Sequence, residues 1–157
     1  MPAVSNTSPL LNLAIINQLH LLQQQFVEVL IPPIVLAELK PGTDYPGAER
    51  VQHALDTHWL QVIELKDDTL ARALSLELDQ GEAAAIAVAI EQSLTQILMD
   101  ERDGRAKAKG LGLQPIGVLG VLLRAKLAGQ IPSVVSMLGP GRCGSMKEKP
   151  SRPGRQA

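Results

Sequence analysis

Hydrophobic and polar positions alternate in short blocks along this chain, and the period changes from block to block. Ala3-Val4-Ser5 is a short extended run. Asn6-Thr7-Ser8-Pro9 punctuates it as a polar turn, and Leu10, Leu11, Leu13, Ala14 and Ile15 follow at helical spacing. Leu19, Leu21, Leu22 and Phe26 predict a second short helix, and the β-branched, apolar run 27–31 predicts a strand. Pro32-Pro33 opens a helix over 34–39 that Lys40-Pro41-Gly42 closes, because the first N–H groups of a helix lack partners and glycine tolerates a left-handed exit. A loop over 42–47 leads to a helix over 48–55 and an alternating strand over 60–65. A helix over 67–78 is broken by Asp79-Gln80-Gly81 and followed by an alanine-rich helix over 82–91 of high intrinsic propensity. Strands over 95–99 and 114–116 flank a helix over 106–109, and a last helix, 118–127, is amphipathic through Leu119, Leu122, Leu123 and Lys126. Strands alternating with helices predict an α/β fold of three layers, α/β/α, with a central parallel sheet covered on both faces.

A chain of 157 residues that is 45% hydrophobic can build one core without staples. Phe26, Tyr45 and Trp59 are its three aromatics, so that core is expected to be aliphatic and base stacking a minor device. A single cysteine, Cys143, excludes disulfide and zinc frameworks within the chain. With no apolar signal segment after a basic start, it points to a reducing, cytoplasmic setting. No uninterrupted apolar stretch approaches the ~18 residues of a membrane span, and no membrane association is expected. The net charge of −1 conceals an asymmetry: residues 139–157 carry +4, which leaves −5 on 1–138. Seven of those last nineteen residues are Gly or Pro, so the expected organisation is a domain over 1–138 and a basic, disordered tail over 139–157. An acidic body lacks the broad basic face of a protein that grips nucleic acid directly, so something else must meet the phosphates.

In an open α/β sheet, ligands bind outside the carboxyl ends of the strands. Asn6-Thr7-Ser8 follows the first strand and Asp100-Glu101-Arg102-Asp103 follows strand 95–99. Glu38 sits among the aliphatics of helix 34–39, and Glu82 opens the helix Glu82-Ala83-Ala84-Ala85-Ile86. Each has an ordinary alternative. Glu82 suits a helix first turn, Glu38 suits a solvated stripe, and Asp100 and Asp103 suit helix caps. Taken together, three or four carboxylates repel one another unless a hard divalent cation such as Mg²⁺ or Mn²⁺ sits among them. That chemistry suits phosphodiester hydrolysis, because the ion activates a bound water and offsets charge on the phosphoryl oxygens.

The chain resembles the PIN-domain superfamily of metal-dependent ribonucleases, which includes the VapC toxins. It is most similar to a prokaryotic PIN-like branch of otherwise unknown function. The resemblance is carried by five ordered stretches: Val4-Ser5-Asn6-Thr7-Ser8-Pro9-Leu10, Ile31 to Leu39, Gln80 to Ala89, Ile97 to Arg105 and Gly112 to Gly120, within about residues 3–131. It implies a metal-dependent endoribonuclease acting on RNA. Glu38, Glu82 and Asp100 would be its catalytic carboxylates, and Asn6 and Asp103 would join them as ligands of Mg²⁺ or Mn²⁺. Thr7 and Ser8 match a hydroxyl-bearing turn that orients the pocket, and Arg102 and Arg105 would hold a phosphate. Asn6 stands where most members carry aspartate, which removes one negative charge from the site. The resemblance further implies a toxin neutralised by a small antitoxin protein, and a homodimer paired through the aliphatic face of 118–127. A catalytically silent PIN-like binding module is the alternative that Asn6 keeps open.

Other chemistries lack their motif. His20, His53 and His58 have no zinc-ligand spacing, no glycine-rich nucleotide loop is present, and the serines and Cys143 have no adjacent base.

Overall fold

The computed structural model describes residues 1–135. Five short strands, β1 (Ala3–Ser5), β2 (Val29–Ile31), β3 (Leu60–Val62), β4 (Gln96–Leu98) and β5 (Gln114–Ile116), form one wholly parallel sheet in the order β3-β2-β1-β4-β5. The helices are α1 (Thr7–Ile15), α2 (His20–Phe26), α3 (Pro33–Leu39), α4 (Ala48–Asp56), α5 (Thr69–Leu74), α6 (Gln80–Glu91), α7 (Arg102–Gly110) and α8 (Val118–Leu127).

The two-residue period of the strands divides the core into two layers. Ala3, Val29, Ile31, Leu60, Leu98 and Ile116 pack with residues of α1, α2, α3, α4 and α8. Val4, Leu30, Ile97 and Met99 point the other way, to α5, α6 and α7. The result is the three-layer α/β/α sandwich that the alternation of elements predicts. Because both faces are covered, β1, β2 and β4 read as nearly unbroken apolar runs.

Strand order sets the place for chemistry. From β1 the chain builds β2 and β3 on one side, then crosses to lay β4 and β5 on the other. The crevice outside the carboxyl ends of β1 and β4 is therefore the topological switch point of the sheet. Asn6 is the first residue after β1, and Met99 and Asp100 follow β4.

Several boundaries differ from the sequence reading. Thr7, Ser8 and Pro9 are the first turn of α1 rather than a polar turn before it, since proline is tolerated where helix N–H groups have no partners. Val27 is exposed at φ +67° and ends α2, so β2 starts only at Val29. The left-handed exit of α3 is taken by Lys40 rather than Gly42. β3 ends at Val62 and α5 at Leu74, both short of their expected ends. Asp79-Gln80-Gly81 is no break: Asp79 caps α6, and Gln80 and Gly81 are its first two residues. α7 starts at Arg102, not at residue 106. Its buried face consists of Gly104 and Ala108, which carry almost no hydrophobic signal. The face of α8 that packs is Val118, Val121, Leu122 and Ala125, whereas Leu119, Leu123 and Leu127 are exposed. The expected tail over 139–157, with Cys143, lies outside the described residues. No helix of the described residues is long and apolar enough to cross a membrane.

Candidate metal centre

Asn6 is held by its backbone. Its N–H donates to Leu98 O at 3.0 Å, and its carbonyl accepts the Ser5 hydroxyl at 2.8 Å, so the end of β1 is locked to β4. The residue is only 5% exposed, and its side chain makes no hydrogen bond with the described residues. Among the described residues the fully enclosed side-chain polar atoms without a partner are Gln18 Oε1 and Gln25 Oε1, so the Asn6 amide keeps an opening onto the cleft, where a ligand or water can meet it.

Glu38 arrives from α3, whose rotation is set by the burial of Val35 and Leu39 one turn apart. The Thr7 hydroxyl donates to Glu38 Oε1 and ties α1 to α3. Glu82 comes from the first turn of α6 through a reciprocal cap: Asp79 Oδ1 accepts the Glu82 N–H at 2.8 Å, and Glu82 Oε1 accepts the Asp79 N–H at 3.3 Å. The helix-terminus role is thus fulfilled, yet Glu82 is also buried. Burial pushes its carboxyl up from the ordinary value, and the charges of Asp79, Glu101 and Asp103 push the same way against the Asp79 N–H bond.

Two glycines let these groups close in. A Cβ on Gly81 would lie 2.9 Å from Glu38 Oε1, 3.0 Å from Asn6 Oδ1 and 3.5 Å from Asp79 Oδ1, so three oxygens from three elements meet over its bare Cα. A Cβ on Gly104 would lie 3.1 Å from Glu82 Oε2 and collide with the Met99 sulfur, so α7 can approach Glu82 only with glycine there.

The resulting cleft holds about 440 Å³ and brings together Asn6, Thr7, Ser8, Glu38, Glu82 and Asp103. Asp79, Glu77, Glu101 and Tyr45 line it too, and no lysine or arginine does. Sequence reasoning passed over these four. Asp79 was detectable from the Asp-x-x-Glu spacing of a capping box, whereas Tyr45 sits in the loop before α4 and carries no local signal.

Asp100 lies elsewhere. Its Oδ1 accepts the N–H of Val118, the first residue of α8, at 2.9 Å. It lines a neighbouring cleft with Arg105, Gly117 and Arg124. Asp100 therefore serves α8 rather than the helix that follows it, whose N-cap is Glu101. Arg105 Nη1 donates to Met99 O at 2.9 Å on this same side. Arg102 is exposed at the start of α7 and lines neither cleft.

Among the described residues, no three Asp, Glu, His or Cys side chains form a group that could hold an ion by themselves. What converges over Gly81 is one amide oxygen and two carboxylates. That set matches a hard, partly hydrated cation, which takes one or two carboxylates and keeps several waters. The unpartnered amide of Asn6, on a residue only 5% exposed, agrees with it.

A family model described as a PIN domain matches residues 2–139. Among solved structures, the chain is similar to a PilT N-terminus domain protein from the hyperthermophilic archaeon Sulfolobus solfataricus P2. The TM-score is 0.57 at 22% identity, over 80% of this chain and 93% of that one. No curated protein matches.

Proposed function

The chain belongs to the PIN-domain family, a nuclease-type fold whose members generally depend on divalent metal, and from that premise we propose that it is a metal-dependent endoribonuclease. The observation that carries this reading is the convergence of Glu38, Asn6 and Asp79 oxygens over Gly81, with Glu82 behind them, in a cleft free of cationic side chains. Glu38, Asn6 and Glu82 would hold Mg²⁺ or Mn²⁺, with Asp103 at the rim and Asp100 joining from the end of β4. The ion, when bound, supplies an activated water and offsets charge on the phosphate under attack.

The protein's own part is positional. Thr7 holds the Glu38 carboxylate in place, and the Asp79 backbone holds Glu82. Ser8 borders the substrate's approach, and Arg105, with Arg102 further out, meets phosphates flanking the cleavage point on the Asp100 side. The toxin role belongs to the same proposal, with a small antitoxin as the neutralising partner. So does a homodimer through Leu119, Leu123 and Leu127, which are 63%, 52% and 80% exposed on α8.

Cleavage of a mixed pool of labelled RNAs tests the reading, run with Mn²⁺, with Mg²⁺ and with chelator, and with Glu38→Gln as the contamination control. Metal-dependent cutting that disappears in Glu38→Gln is the expected result. Silence in every lane would overturn it. A silent binding module, favoured by the amide at Asn6 and by the engagement of Asp100 with α8, predicts that silence, and also predicts that Asn6→Asp restores cutting.

A further inference from the structure

Asn6 leaves the switch-point crevice one negative charge short of a set with aspartate in its place. The structure has a second carboxylate in reach of the same spot. Asp79 Oδ1 lies 3.5 Å from the Cβ position of Gly81, beside Asn6 Oδ1 at 3.0 Å and Glu38 Oε1 at 2.9 Å. Asp79 is the N-cap of the 12-residue helix α6, and its Oδ1 spends one interaction on the Glu82 N–H. Its other oxygen makes no hydrogen bond with the described residues, and the side chain is exposed to the cleft. The independent sign that a ligand belongs here is Asn6: the residue is only 5% exposed, and its amide lacks a hydrogen-bond partner among the described residues and faces the same point from the end of β1, open to the cleft. Carboxylates crowding a bare amide oxygen, with no lysine or arginine lining the cleft, call for a cation.

We infer that Asp79 supplies the charge that Asn6 withholds, so that in this chain the divalent cation is held by Asp79 together with Glu38, Asn6 and Glu82. The capping residue of α6 is then a metal-site residue as well. This rests on the metal-dependent reading above, but it concerns which side chains carry the charge rather than what is cleaved. It also predicts an exchange relation. A negative charge at residue 6 and one at residue 79 are interchangeable for metal affinity, because both face the same point over Gly81.

The test is calorimetric titration of the whole chain with MnCl₂, with thermal melting of each metal-free protein alongside. Asp79→Asn keeps a good N-cap and removes the charge, so the metal-free melting temperature stays near wild type. Its Mn²⁺ affinity should fall by about tenfold or more, the scale at which metal sites respond to loss of a supporting carboxylate. Asp79→Ser, which also caps, should behave alike. The exchanged variant Asn6→Asp/Asp79→Asn should recover most of the affinity, which a purely structural role for Asp79 would not allow. Unchanged Mn²⁺ affinity in both Asp79 variants, or a loss that Asn6→Asp fails to rescue, would overturn the inference. If the wild type binds no Mn²⁺, the metal-dependent reading falls with it. If Mn²⁺ binding depends on Asp79 but no RNA is cut, only the ribonuclease reading falls.

Discussion

The acidic cleft and the cleft beside it meet at the end of β4, where Asp100 and Glu101, adjacent in sequence, line different sides. On the Glu101 side, Glu38, Asp79, Glu82 and Asp103 face one another without a cation, and Glu82 is driven toward its protonated form. On the Asp100 side, the single carboxylate is satisfied by the α8 N-terminus, and the charged neighbours are Arg105 and Arg124. The acids of the first cleft have partial provision, since Asp79 and Glu82 cap α6 reciprocally, Thr7 donates to Glu38 and Lys107 pairs with Glu77, yet no lysine or arginine lines the space between Glu38, Asp79, Glu82 and Asp103. Carboxylates gathered with no lysine or arginine in the lining, Glu82 among them buried, set the first cleft apart. The second sets two arginines beside its one aspartate.

Substitutions on the two sides should therefore fail differently. The largest effect is expected from Glu38→Gln and Glu82→Gln. Supporting groups alone are worth roughly 10–100-fold at metal sites, so loss of a direct donor should lower RNA cleavage by about a hundredfold or more without unfolding the protein. Single-turnover cleavage of one labelled RNA measures it.

Gly81→Ala comes next. Its new methyl would push aside the flexible end of Glu38 and crowd Asn6 Oδ1, while alanine suits a helix better than glycine by up to ~1 kcal/mol. Melting temperature should hold while Mn²⁺ affinity collapses, a separation that thermal melting and calorimetry read directly.

Asp100 distinguishes its two roles by the choice of substitution. Asp100→Ala removes the acceptor for Val118 N–H and should cost about 1 kcal/mol of stability, as loss of a helix cap does. Asp100→Asn keeps that acceptor and should melt near wild type. If its cleavage rate falls even so, Asp100 acts as a carboxylate toward the metal as well as an anchor for α8.

The smallest effect is one of pH. Glu82 titrates higher in the folded protein than in the unfolded chain, so the folded form holds a proton that the unfolded form has already released. Stability of the metal-free protein should therefore decline as pH rises from the ordinary glutamate value through the raised one, and stay lower above it. Melting in chelator across that range, compared with Glu82→Gln, isolates this contribution: the variant should show a shallower decline.

Much of this is legible in the sequence, for reasons visible in particular residues. The inner strands β1, β2 and β4 announce themselves because a parallel sheet covered on both faces needs apolar runs such as Val29-Leu30-Ile31, whereas the edge strands β3 and β5 show only partial apolar patterns. Glu38 and Glu82 stand out as acids among aliphatics, and the structure brings both to the cleft with Asn6. α7 is half hidden, because Gly104 and Ala108 bury a face with almost no side chain. Asp79 is disguised by Gly81 next to the helix it opens. Glycine reads as a break unless one knows that Asn6 and Glu38 approach there, and that approach is a long-range fact that no local pattern holds. The same limit hides the engagement of Asp100 with Val118, eighteen residues away.

Whether the acidic cleft is a divalent-cation site is tested most directly by thermal unfolding of the metal-free chain titrated with MnCl₂, beside Glu38→Gln. A site that binds only the native state adds about 2.7 kcal/mol when the metal stands at ~100 times its dissociation constant. The wild type should therefore gain stability progressively with Mn²⁺, and Glu38→Gln should gain little or none. Equal stabilisation of the two proteins, or none in either, would contradict the assignment of the cleft.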